Sequence, residues 1–350
     1  MTKDVLIRSV RDALRVHLRL HDSAGPEDIV KFVFQGLLGV GHLLGDEAEV
    51  TARIADEMAS LQPDAEEALT ESLGSAWCRL NLRRAMAEGL TAGDIARLML
   101  TSAHPAVCSR ADVTDACRTI SSEEGIPGVL RACEPLADPR WLPSHSGLYR
   151  AAYSPAYRVI GADWQPILPV LCRFAALRNR AGRLLVTLDG PCASGKTTLA
   201  ARLAGVWDAV VLHTDDFVIP HAQKTPERLA IPGGNCDCER LTAEVIGPWA
   251  AGQTPTFRRY DCHTDRMLPP ETLPDTRVLI LEGSYCNLPP IRVHAALRLF
   301  MQTPEAERMA RLERRESPAS LAQFRARWIP LENAYFTHYG LPDADCLIIG

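Results

Sequence analysis

The stretch that most constrains this chain is Gly190-Pro-Cys-Ala-Ser-Gly195-Lys196-Thr197. Its spacing, G-x-x-x-x-G-K-[ST], belongs to a loop whose backbone N–H groups turn inward onto phosphate oxygens. The glycines permit that turn, and a helix beginning at the loop's end adds the positive end of its dipole. The flanks meet the requirement: Leu184–Leu188 reads as a short buried strand and Thr197–Leu203 as a helix. A chance match in a chain of ordinary composition is on the order of one per cent. Candidate nucleotide contacts are therefore Gly190, Pro191, Cys192, Ala193, Ser194, Gly195, Lys196, Thr197 and Thr198. Lys196 suits the β- and γ-phosphates and the Thr197 hydroxyl suits Mg²⁺, so ATP and Mg²⁺ are the expected cofactors.

The alternation continues to the end of the chain. Apolar runs at Ala209–Leu212, Val278–Leu281, Leu297–Met301 and Cys346–Ile349 are separated by helical stretches. Short buried strands with helices between them predict a parallel sheet covered on both faces. Residues 183–350 thus predict an α/β domain of the P-loop NTPase fold with a five-stranded parallel sheet. A chain of 350 residues has room for a second domain, and residues 1–180 read as mainly α-helical. Pro26-Glu27-Asp28 marks a helix start, and Glu47–Leu61 repeats apolar residues at helical spacing. Trp77–Leu90 and Thr91–Leu100 read as two more helices, the second with Thr91 and Asp94 as a capping pair. No strand is expected before residue 150.

Residues 121–165 are rich in proline, glycine and aromatic residues, too aromatic for a loose linker. Their Tyr149, Tyr153, Tyr157 and Arg158 read as an interface between the two halves, or as groups that stack on a base or bind a phosphate-bearing acceptor. His42 reads as a core histidine.

Composition excludes several classes. A formal net charge of −5 argues against an extended nucleic-acid partner. No apolar run approaches the ~18 residues of a membrane span. The N-terminus lacks an apolar signal core and reads as the first helix of a cytoplasmic protein. The eleven cysteines are odd in number and scattered, unlike a secreted disulfide framework. Cys236, Cys238, Cys262 and His263 offer four soft ligands, but C-x-C is not a usual zinc spacing and loop thiols are the preferred reading.

Acids after the second and third strands separate the possible phosphate chemistries. His213-Thr-Asp215-Asp216-Phe217 follows the second strand, at the edge where open parallel sheets bind ligands. A kinase needs a carboxylate there to orient the acceptor hydroxyl and take its proton, and Asp215 is the candidate. The competing reading is a helix N-cap. Glu282 follows the third strand, where a carboxylate would hold Mg²⁺ directly or through water.

LDGPCASGKTTLA, HTDDFVIP, FRRYDCHTDR and VLILEGSY occur in the order seen in uridine kinase-like proteins, and residues 183–350 resemble that group. It includes uridine–cytidine kinases, phosphoribulokinase and the bacterial P-loop pantothenate kinase. The resemblance implies catalytic roles for Asp215 as base and for Lys196, with Glu282 on the metal-organising strand. It places Tyr260, Asp261 and Arg266 on the acceptor side; the family's base-contacting histidine has no counterpart in register. Related kinases also close a lid whose arginines grip the transferring phosphoryl group. Arg311 and Arg315 fit that role and share a helix face, although the interleaved glutamates equally fit a solvated helix. The implied partner is a small-molecule acceptor, a nucleoside first and another small alcohol second. A reading from a different class is a nucleotide-gated module whose helical half binds a protein.

Overall fold

The computed structural model describes residues 2–39, 46–102, 107–178, 182–262 and 264–350. Its contacts divide the chain into two compact units, Met1–Ala176 and Leu177–Gly350. Among the described residues no helix is long and apolar enough to cross a membrane.

Helices dominate the first unit: α1 (Lys3–Leu20), α2 (Pro26–Leu38), α3 (Glu47–Ala59), α4 (Leu82–Ala87), α5 (Ala92–Ser102), α6 (Arg110–Glu123) and α7 (Gly147–Tyr153). α2 opens with Pro26, and the Asp28 carboxylate accepts from Gly25 N at 3.0 Å. α5 opens on the expected pair: Thr91 N donates to Asp94 at 2.8 Å, and Asp94 N to Thr91 Oγ1 at 3.3 Å. His42 lies outside the described residues.

The expectation of no strand before residue 150 is overturned. β1 (Thr70–Ser72), β2 (Trp77–Asn81) and β3 (Tyr157–Gly161) form an antiparallel sheet with β2 in the centre. Trp77–Asn81 is therefore a strand, and the helix begins only at Leu82, where Asn81 Oδ1 accepts from Arg84 N at 3.1 Å. The physical reason lies far off in sequence. Trp77, Cys78, Arg79 and Leu80 are all buried, so the strand shows no alternation. The charge of Arg79 is answered by Glu71 at 3.0 Å and by Gln35 at 2.9 and 3.1 Å.

In the second unit α8 (Leu168–Arg178), which spans the division, precedes β4 (Leu184–Asp189). Then follow α9 (Lys196–Trp207), β5 (Val210–His213), β6 (Val278–Glu282), β7 (Ala295–Met301), α10 (Glu305–Arg315), α11 (Ile329–Tyr339) and β8 (Cys346–Ile349). The strand order is β8-β7-β4-β6-β5, and every pair is parallel. β4 and β6 are buried at every position, as strands covered on both faces must be. All five runs read as strands from the sequence are strands here. The neighbours of β4 are the third and fourth strands of the sheet, so the connections part to either side of it. Its carboxyl end is the switch point where such sheets bind ligands.

Candidate active site

The loop leaves β4 at that switch point. Gly190 has φ +142°, and a Cβ there would lie 2.5 Å from the Met301 carbonyl oxygen, so the chain passes β7 only without a side chain. Ala193 and Gly195 also take positive φ, +57° and +105°, which aims neighbouring N–H groups to one side. Among the described residues the amides of Ala193 and Gly195 find no acceptor, and the buried Ser194 Oγ has no partner. Buried Lys196 opens α9, and its Nζ donates to Gly190 O at 2.8 Å and Pro191 O at 3.0 Å. Thr197 and Thr198 face solvent. Unpaired amides, an orphaned hydroxyl and an ammonium at a helix start are the donors a polyphosphate needs.

Side chains from the turn after β7, from α10 and from α11 hold the loop. Thr303 Oγ1 donates to Ser194 O at 2.9 Å, and Arg311 Nη1 donates to Ala193 O and Ser194 O, both at 3.0 Å. Arg308 Nη1 reaches Cys192 O at 3.3 Å. The pairing of Arg311 with Arg315 is therefore not what the structure contains. Arg311 is taken up by loop carbonyls and by Glu307, whereas Arg315 is 60% exposed and pairs with Glu316 at 2.7 Å. Spacing alone gave them one face; α10 turns only Arg308 and Arg311 to the loop. Burial, with Glu332 nearby, pushes the Cys192 thiol up to about 12, so it carries little thiolate.

Glu332 and Asp189 shape the loop, and neither was singled out in the sequence. Glu332 Oε2 accepts from Cys192 N at 2.9 Å and Oε1 from Ser284 Oγ at 2.6 Å. Asp189 Oδ1 accepts from Gly190 N at 2.8 Å, and Oδ2 from Asn287 N at 3.1 Å and Tyr335 OH at 2.7 Å. Burial pushes this carboxyl up to about 6, against the pull of the Tyr335 bond. For Asp189 a signal existed, since it is an acid closing an apolar strand just as Glu282 is. Glu332 gave none, being 140 residues from the amide it binds.

Glu282, buried at the end of β6, accepts from Thr197 Oγ1 at 2.9 Å and meets His213 Nδ1 at 2.5 Å. The bond to Glu282 holds the His213 imidazole above its usual range, with burial opposing. A hydroxyl and a carboxylate at this separation form a hard-oxygen pair that suits Mg²⁺. Replacing Glu282 with Gln is expected to raise the Mg²⁺ needed for half-maximal turnover roughly 10–100-fold. A magnesium titration checks this, and an unchanged midpoint removes Glu282 from the metal role.

The ends of β5 and β6 touch. Gly283 has φ +129°, a Cβ there would lie 2.0 Å from Thr214 Oγ1, and that hydroxyl donates to Ser284 O at 2.9 Å. Residues Thr214–Phe217 form one 3₁₀ turn, and among the described residues Asp215 accepts no backbone N–H, so it is not a helix cap. Its carboxylate is ringed by protein yet open to solvent on one side. Burial first, then Glu282 and Glu332, raise its pKa against Lys196 and His213.

Tyr260–Asp261 and Arg266–Met267 pair as a short hairpin packed against Thr214–Phe217. Tyr260 is buried and its hydroxyl bonds Asp265, while Asp261 Oδ2 accepts from Thr264 Oγ1 at 2.7 Å. Arg266 is exposed. Among the described residues Cys236, Cys238 and Cys262 do not come together as a ligand group, and His263 lies outside those residues.

No family model and no curated protein matches the chain. Among solved structures it is similar to a possible uridine kinase from Bacillus stearothermophilus, 23% identical over 54% of this chain and 100% of that one, with a TM-score of 0.42. A candidate fructose transport system kinase from Silicibacter sp. TM1040 is also 23% identical with a TM-score of 0.42, over 52% of this chain and 98% of that one. Deoxyadenosine kinase from M. mycoides with bound dATP is 9% identical, with a TM-score of 0.23, over 47% and 89%. At such identity the likeness concerns the fold, and only about half of this chain. By its loop and its strand order, the second unit is an α/β domain of the P-loop NTPase fold. The structures it is similar to include uridine kinase-like and sugar kinase-like P-loop proteins.

Proposed function

We propose that the second unit transfers the terminal phosphoryl group of ATP to a hydroxyl of a small molecule. One observation carries this reading: the Asp215 carboxylate, raised in pKa, opens to solvent within the electrostatic reach of Lys196 and Glu282. An acceptor hydroxyl requires such a base, whereas a nucleotide-gated switch does not. The loop amides and Lys196 grip the phosphates, and Thr197 with Glu282 holds the metal. Bound Mg·ATP supplies the phosphoryl group with part of its charge neutralised. Asp215 orients the acceptor and takes its proton. Asp189, Glu332, Arg308 and Arg311 keep the loop in shape, which limits the reorganisation needed when negative charge develops.

A nucleoside is the first acceptor, following the resemblance of the 260–267 hairpin. Arg266 favours a second acceptor reading, an alcohol bearing an anionic group, because among the described residues it makes no ion pair and Tyr260 and Asp261 are bonded within the hairpin. The test is ADP release from Mg·ATP with a panel of nucleosides, pantothenate and sugar phosphates. One hydroxyl class is expected to stimulate release and to appear phosphorylated. Hydrolysis indifferent to every alcohol but stimulated by a protein would overturn the kinase reading.

A further inference from the structure

The first unit has a site of its own. A cavity of about 700 Å³ opens among α2, α3, α5, α7 and β3. Four cations line it, Lys31, Arg53, Arg150 and Arg158, against one carboxylate, Glu57. Glu57 is taken by Arg158, which also donates to Tyr157 O at 2.9 Å. Among the described residues neither Lys31 nor Arg150 makes a hydrogen bond or ion pair to an acid; Lys31 Nζ lies over the Tyr157 ring, 5.9 Å from its centroid. Burial first, then Arg79 and Arg150, pull Lys31 down to about 8.

Asp28 is the acid that acts on Lys31, and it is already held by other groups. His145 Nδ1 lies 2.8 Å from Asp28 Oδ1, and Nε2 lies 2.6 Å from Tyr157 OH. Burial, with Lys31 adding to it, lowers His145 to about 4, so at neutral pH it is an uncharged link between Asp28 and Tyr157. Asp28 is further occupied by Ser146 N at 3.0 Å and Ser146 Oγ at 2.7 Å. The floor is thus a fixed hydrogen-bonded frame, and the cations on it are crowded with like charge. Lys31, half-buried beside the exposed Arg150, holds its charge unfavourably, and an anion entering the cavity relieves it.

We infer that this cavity binds a small organic phosphate, with Lys31 and Arg150 on the phosphate and Val50, Ile54 and Met99 against its carbon skeleton. The volume is that of a small-molecule site and far exceeds what inorganic phosphate fills. The two cations Lys31 and Arg150 match a phosphate monoester, which carries about −1.5 to −2 near neutrality, better than a single carboxylate. The inference is independent of the kinase reading.

The test uses the full chain carrying Lys196→Ala, so that the loop contributes little to phosphate binding. Ribose 5-phosphate, ribose and citrate are titrated by calorimetry into this chain and into one that also carries Lys31→Met and Arg150→Met. Ribose 5-phosphate is expected to bind and ribose to fail. The added substitutions are expected to weaken binding about tenfold or more, the usual worth of one charge-assisted contact. Equal affinity in the two chains, or no phosphate binding in the first, overturns the inference, and so does tighter binding of citrate. If the added substitutions unfold the chain, NMR of methylated lysines decides: ribose 5-phosphate must raise the Lys31 pKa, and an unmoved Lys31 refutes the site.

Discussion

Replacing Asp215 with asparagine lowers acceptor-dependent phosphorylation about 10²–10⁴-fold and leaves nucleotide binding in place. The amide keeps the shape of the carboxylate but cannot take a proton, and the Gly190–Thr197 loop proposed to hold the nucleotide is untouched. The pH profile gives an independent check. In the unsubstituted protein the acid limb of kcat/KM is shifted upward from the ordinary carboxylate value, because burial and the nearby Glu282 and Glu332 raise Asp215. Below its pKa the carboxyl is protonated and idle, so the rate climbs as pH rises through that value. Burial is the largest cause, so the limb remains raised when a metal offsets Glu282. In the Asp215→Asn chain this limb is absent. Unchanged turnover, or an unchanged limb, removes Asp215 from the role.

Replacing Gly190 with alanine is expected to abolish nucleotide binding and to destabilise the second unit. Two penalties combine at this position. A φ of +142° is strained for any residue with a Cβ, costing about 1–3 kcal/mol. The new methyl would also sit 2.5 Å from the Met301 carbonyl and 3.2 Å from the Met301 nitrogen, and backbone of a central sheet cannot yield as a side chain would. Gly252→Ala is the control. Its φ is +83° with nothing within 4 Å of the added Cβ, so it carries strain without collision, about 1–2 kcal/mol. Thermal melts with and without a non-hydrolysable ATP analogue compare the two. The analogue is expected to raise the melting temperature of Gly252→Ala and not of Gly190→Ala. Equal melting temperatures and equal analogue shifts would show that the close pass over Met301 does not shape the loop.

The site was readable where its chemistry is local. Gly190, Gly195, Lys196 and Thr197 fall within one turn of chain, and the backbone geometry that they permit is set by their own φ and by the helix start. Asp215 and Glu282 were readable because each follows an apolar run that ends at the same edge of the sheet. Glu332 and His213 were not, since their part depends on which strand or helix packs beside the loop. Arg315 shows the converse: helical spacing associated it with Arg311, but the helix's rotation against the loop sends it to solvent and to Glu316.

By itself the sequence determined the Gly190–Thr197 loop between strand and helix, the five buried strands of the second unit and the helix starts at Pro26 and Thr91, because each depends on groups a few residues apart. Only the tertiary structure decided that Trp77–Asn81 is a strand, that Glu332 braces the loop and that Lys31 and Arg150 share a cavity whose one lining acid, Glu57, is taken by Arg158. Those outcomes rest on hydrogen bonds and charges between segments far apart in the chain, which local periodicity does not encode.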